Sequence, residues 1–120
     1  MVSRLAWSSG SLLVAASVGE QAYIAHASNE LKTDANKRLP LQNAALIQML
    51  NGLGLMMLSL RVGKKTPKMA YAPLGLLILG STMFSGFIFY DKLTGDGRLR
   101  SYVRYGGSAT IFGWLAMTFL

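Results

Sequence analysis

Leu41–Leu60 reads LQNAALIQMLNGLGLMMLSL, and Met69–Tyr90 reads MAYAPLGLLILGSTMFSGFIFY. Neither stretch contains a charged side chain. An α-helix rises about 1.5 Å per residue and the hydrocarbon core of a bilayer is about 30 Å thick, so a helical span needs about 20 predominantly apolar residues. Both stretches meet that length. Two uncharged runs of this kind rarely occur in soluble folds, which argues against a soluble helical bundle with a rich core.

Working outward, the charges fall in islands. Arg4 stands alone. Glu30, Lys32, Asp34, Lys37 and Arg38 form the next group; Arg61, Lys64, Lys65 and Lys68 a third; Asp91, Lys92, Asp96, Arg98, Arg100 and Arg104 a fourth. Two further apolar stretches lie outside the first pair. Leu5–Ala27 is interrupted only by Glu20, and Tyr105–Leu120 is short at 16 residues. A short span must sit in a thin place or lean on its neighbours. A membrane β-barrel would need at least about eight strands of alternating pattern, which is absent. Helices satisfy their own backbone groups in lipid. The expectation is therefore an all-α, integral membrane four-helix up-down bundle. It forms one domain over residues 1–120, with helices at about 5–27, 41–60, 69–90 and 105–120.

Composition agrees. The 120 residues are 52% hydrophobic and 14% charged, and mean hydropathy is +0.36. An ordinary soluble domain carries roughly 25% charged residues. The absence of cysteine excludes disulfides, thiolate metal sites and cysteine nucleophiles. A single histidine, His26, excludes a His-only metal site. The net charge of +7 sits in loops between spans, which points away from nucleic acid.

Boundaries carry punctuation. Pro40 is expected at the start of the second helix, where its missing N–H costs nothing. Thr66-Pro67 breaks the chain before the third, and Thr94-Gly95-Asp96-Gly97 is a turn signal before the fourth. Met1–Arg4 ahead of an apolar stretch is also the layout of an address peptide. One arginine before a helix that is apolar most of the way round lacks the Arg-rich amphipathic character of a transit peptide, so a span is expected. Lys and Arg number five on the side of Arg4 and the Arg61–Lys68 connection, and seven on the other. That leaves orientation open.

Glu20 is the most informative residue. A carboxyl in a span costs at least about 2.5–3.5 kcal/mol unless paired, protonated or near water. It lies about 12 Å deep by helical rise, and Gln48, returning along the second helix, lies at the same depth. Asn51 shares the Gln48 face at three residues' spacing. Ser81, Thr82 and Ser85 on the third helix, and Ser108 and Thr110 on the fourth, reach a similar level. Glu20 is expected to bond Gln48 or Asn51 in an intramembrane polar layer of Glu20, Gln48, Asn51 and Ser85. Interhelical glue is favoured over a proton or ion relay, since a relay wants several ionisable groups in a chain. His26 is about 240° round the helix from Glu20 and does not face it.

Small residues at Ser11, Ala15 and Gly19, and glycines on each later helix, mark close helix approaches. Trp7, Tyr23, Tyr71, Tyr90, Tyr102 and Tyr105 gather at helix ends as an interfacial belt. Arg61, Lys64, Lys65 and Lys68 have no acidic neighbour and form a candidate contact for anionic lipid or an acidic partner. No phosphate loop, nucleophile elbow or catalytic carboxylate pair occurs. No catalytic residue, cofactor or metal is expected.

Several ordered pieces bear on kinship: Ala25-His26, Ala35-Asn36-Lys37, Met83-Phe84-Ser85 with Tyr90 and Leu93-Thr94-Gly95-Asp96, Gly106-Gly107, and Gly113-Trp114-Leu115-Ala116. In this order and spacing the chain resembles the small membrane proteins typified by transmembrane protein 256, whose bacterial relatives are grouped as domain of unknown function 423. It departs at Gln42, where the family usually has a second histidine, and at Arg104, where it often has proline. The resemblance implies four helices and, for eukaryotic members, a mitochondrial membrane. It implies no activity. The expected role is a non-catalytic accessory subunit of a larger complex, such as a mitochondrial inner-membrane respiratory assembly. Its expected partners are other membrane subunits and lipids such as cardiolipin. The alternative is a small transporter or proton-conducting bundle centred on Glu20.

Overall fold

The structure, a computed structural model, describes residues 2–26, 35–62, 68–94 and 97–118. Four helices account for nearly all of them. They are α1 (Val2–Ala25), α2 (Ala35–Val62), α3 (Lys68–Thr94) and α4 (Val103–Met117). A 3₁₀ segment, Gly97–Tyr102, leads into α4. No strand occurs among the described residues. Helices α2 and α3 have the length and apolarity of membrane spans, with mean hydropathies of 1.4 over Arg38–Val62 and 1.7 over Lys68–Thr94.

Helices α2 and α3 run past their charge-defined limits at both ends, because a helix continues while its backbone bonds continue, whatever its side chains carry. The start of α2 precedes Leu41, which places Pro40 inside the helix and not at its first residue. There the ring removes an N–H from the backbone ladder. The end of α3 lies at Thr94, so Asp91, grouped by sequence with the fourth charge island, belongs to the helix and is buried. The middle of α3 is not α-helical: Ser81–Gly86 forms a π-helix between α-helical Tyr71–Gly80 and Phe87–Thr94.

Successive helices pair antiparallel, as their contacts show. On α1 and α2, Ser3 meets Ser59, Gly10 meets Gly52, and Gln48 meets Leu13. On α2 and α3, Ser85 meets Ala44 and Asn51 meets Ser81. On α3 and α4, Met83 and Phe84 meet Gly106, and Leu77 meets Gly113. Helix α1 packs chiefly on α2, and α4 chiefly on α3.

Two apolar clusters sit toward the ends of the bundle. One joins Ala6, Leu55, Leu58, Val62, Ala70, Leu74 and Leu77. The other joins Ile24 and Leu41, with Ile88 and Phe89 against them. Gln48, Asn51, Ser81 and Ser85 are buried between the two. The outer faces are apolar: Leu12 is 71%, Leu60 75%, Ile111 62% and Phe112 60% exposed.

The closest approach of α1 to α2 is backbone on backbone. A Cβ on Gly10 would lie 2.5 Å from the Gly52 carbonyl oxygen, and one on Gly52 would lie 2.7 Å from that of Gly10. Only glycine at both positions permits this crossing. Gly52→Leu is therefore expected to destabilise the fold by about 1–3 kcal/mol through overpacking. A Cβ on Gly19 would meet nothing within 4 Å, so Gly19→Ala should be neutral or stabilising by up to about 1 kcal/mol. Denaturant titration in detergent micelles, followed by far-UV circular dichroism, measures both.

Candidate functional site

Most of the buried polar side chains fall into two groups that share α2. The first is centred on Asn51, which is fully buried. Its Nδ2 donates to Ser81 Oγ at 2.9 Å and to Thr110 Oγ1 at 3.1 Å. Its Oδ1 accepts from Trp114 Nε1 at 3.0 Å. An indole N–H can only donate, so it fixes which atom of the amide faces the indole. Both amide hydrogens and the carbonyl oxygen are thus used, and one side chain ties α2 to α3 and α4. One turn away, Ser85 Oγ donates to the Ala44 carbonyl at 2.6 Å.

Glycines make this group reachable. A Cβ on Gly80 would strike Thr110 Oγ1, and one on Gly106 would strike the Phe84 backbone nitrogen. A Cβ on Gly54 would lie 2.8 Å from the Trp114 ring. Without side chains there, α4 lies against the π-helix and the indole lies over α2. The wider π turn carries both buried serines, Ser81 and Ser85, toward α2.

The second group joins α1 to α2. Gln48 Nε2 donates to the Leu13 carbonyl at 3.1 Å, and the Gln48 side chain lies beside the Glu20 carboxyl. Glu20 Oε2 is buried and has no hydrogen-bond partner among the described residues. At the far end of this interface, Ser59 Oγ donates to the Ser3 carbonyl at 2.7 Å and the two hydroxyls lie 3.0 Å apart.

Of the residues singled out from sequence, Glu20 and Gln48 come together. Asn51 turns away from Glu20 to α3 and α4, and Ser85 bonds backbone. Thr82 and Ser108 are exposed, and Thr82 bonds its own helix at Ile78. His26 is exposed at the end of α1. Arg61 and Lys68 lie exposed at the facing ends of α2 and α3; Lys64 and Lys65 lie outside the described residues. Sequence reasoning missed Trp114 as the third partner of Asn51. The signal was its four-residue spacing from Thr110, which puts both on one helix face. It also missed the burial of Asp91. Near Glu20, a cleft of about 370 Å³ opens between α1 and α2, lined by Gln21, Ile24, Ala25, Gln42 and Leu46. Among the described residues, no three His, Asp or Glu side chains gather as metal ligands would.

These features define an all-helical protein with two helices apolar enough to cross a membrane, held together by buried amides and hydroxyls. The family described as protein of unknown function DUF423 matches residues 21–107, and the chain belongs to it. No solved structure matches the chain significantly.

Asn51→Leu leaves Ser81, Thr110 and Trp114 without their partner, and is expected to cost about 1–3 kcal/mol. Trp114→Phe removes one bond and should cost about 1 kcal/mol. The double variant should lose at least about 0.5 kcal/mol less than the sum, because both changes break the same bond. A double-mutant cycle on unfolding free energies reads this coupling.

Proposed function

We propose that the chain is a non-catalytic accessory subunit, inserted as an up-down four-helix bundle in a larger membrane complex. The observation that carries this reading is the apolar exterior of a bundle that keeps a polar layer inside. Hydrogen-bonded amides and hydroxyls lie inside, while Leu12, Leu60, Ile111 and Phe112 face outward. Water does not reward such an exterior, whereas lipid tails and neighbouring transmembrane helices do. Asn51, Gln48, Ser81, Ser85 and Thr110 are spent on bonds to other side chains or to backbone, which suits a register-setting role. The mitochondrial inner membrane, with a respiratory assembly as host, is the setting implied by the resemblance to transmembrane protein 256. There, Arg61, Lys64, Lys65 and Lys68 would meet cardiolipin or an acidic partner subunit.

The protein is expected to resist carbonate extraction. It should migrate on blue-native gels with a much larger species, and copurify with fixed partners at equal stoichiometry. Migration only as a free small species would overturn the subunit reading.

One observation favours a second reading, a small proton-conducting bundle: the buried Oε2 of Glu20, unpartnered among the described residues. Proteoliposomes carrying a pH-sensitive dye should then show flux that Glu20→Gln abolishes. Equal flux in the two proteins would end that reading.

A further inference from the structure

The joint between α3 and α4 carries a ladder of rings that ends in a cation. Phe87 and Tyr102 meet edge to face, with centroids 6.4 Å apart at 75°. Tyr105 follows, 6.3 Å from Tyr102. The Arg104 guanidinium lies over the Tyr105 ring, 5.3 Å from its centroid. Beside them, Arg98 Nη2 reaches the Tyr90 hydroxyl at 3.5 Å. Tyr102, Arg104 and Tyr105 are all exposed.

A guanidinium held over a ring face by cation–π attraction still has its N–H donors in its own plane, where they can grip a phosphate in bidentate fashion. The contact with the ring also restricts the side chain in advance, so less freedom is lost on binding. Seven residues along a helix return to nearly the same face, so Ile111 lies below Arg104 and Phe112 below Tyr105, about 10 Å further on. Both are exposed, as is Leu115 beyond them. A cationic head and an aromatic collar therefore top an apolar track along α4.

We propose that this surface binds one anionic phospholipid, with its phosphate on Arg104, its glycerol region at Tyr102 and Tyr105, and an acyl chain along Ile111, Phe112 and Leu115. The proposal rests on the membrane reading above, and concerns the opposite end of the bundle from Arg61 and Lys68. A soluble phosphate would use the arginine but leave the track bare. An acidic protein face would not need a track of acyl-chain shape.

The test uses the full chain in neutral detergent, with dioleoyl phosphatidylglycerol and dioleoyl phosphatidylcholine offered at equal concentration and adducts counted by native mass spectrometry. Phosphatidylglycerol should be retained preferentially. Arg104→Gln should lower that preference about fivefold, the factor that corresponds to ~1 kcal/mol for one basic residue at an anionic surface. Arg104→Lys, which keeps the charge without the planar, bidentate guanidinium, should fall between the two. Arg4→Gln, at the other end, should change nothing. Circular dichroism identifies a variant that has lost its helices, and Arg104→Lys then carries the test.

Equal retention of the two lipids, or no change in Arg104→Gln, overturns the proposal. So does displacement of the lipid by millimolar inorganic phosphate, or binding of polyglutamate in place of any lipid preference. Flotation with phosphatidylcholine-only vesicles separates the two levels. A protein that floats but ignores headgroup charge loses only this proposal, whereas one that fails to float loses the membrane reading.

Discussion

The Asn51 amide is the constraint on which the arrangement of α2, α3 and α4 depends. A buried primary amide is costly unless its hydrogens and oxygen all find partners. Here those partners are Ser81, Thr110 and Trp114, on two other helices. Meeting all three at once leaves little freedom to slide or rotate either helix against α2. The glycines at 54, 80 and 106 are part of the same solution, since a Cβ at each would collide with the elements that bring those partners in. The π-helix belongs to it as well, because both of its buried serines bond α2.

The α1–α2 interface works by different means. Its crossing depends on Gly10 against Gly52, and its register on Gln48 to the Leu13 backbone and on the Ser3–Ser59 pair. The family match spans residues 21–107. It therefore includes Gln48, Asn51, Ser81 and Ser85, but begins after Glu20 and ends before Thr110 and Trp114. The shared segment holds the centre of the polar layer, while some of the groups that complete it lie in the flanking helices.

A buried polar layer between two apolar clusters, beneath an outer surface of large apolar side chains, departs from the usual distribution of a soluble domain. Buried amides and hydroxyls fix positions through directional bonds, where apolar contacts alone would tolerate sliding. The large apolar side chains on the outer faces of α1, α2 and α4 contribute nothing to that specificity. They set the medium in which such a bundle is stable, which is why the proposed membrane setting and the internal polar layer belong to one physical argument.

The uncharged runs 41–60 and 69–90 determined by themselves that the chain is helical, because no other regular structure uses such long apolar stretches economically. Depth counted along the chain likewise put Glu20 beside Gln48, since antiparallel neighbours of known rise share levels. Helix ends were less legible: charge marks where a medium changes, whereas a helix ends where its backbone bonds end, so Pro40 and Asp91 fell inside helices. Rotation was not legible at all. Whether Asn51 faces Glu20 or Trp114, and whether α3 widens into a π turn at Ser81, depends on contacts among residues 30 to 63 positions apart. Only the tertiary structure decided that, because the amide must be satisfied by whichever helices the glycines allow to come close.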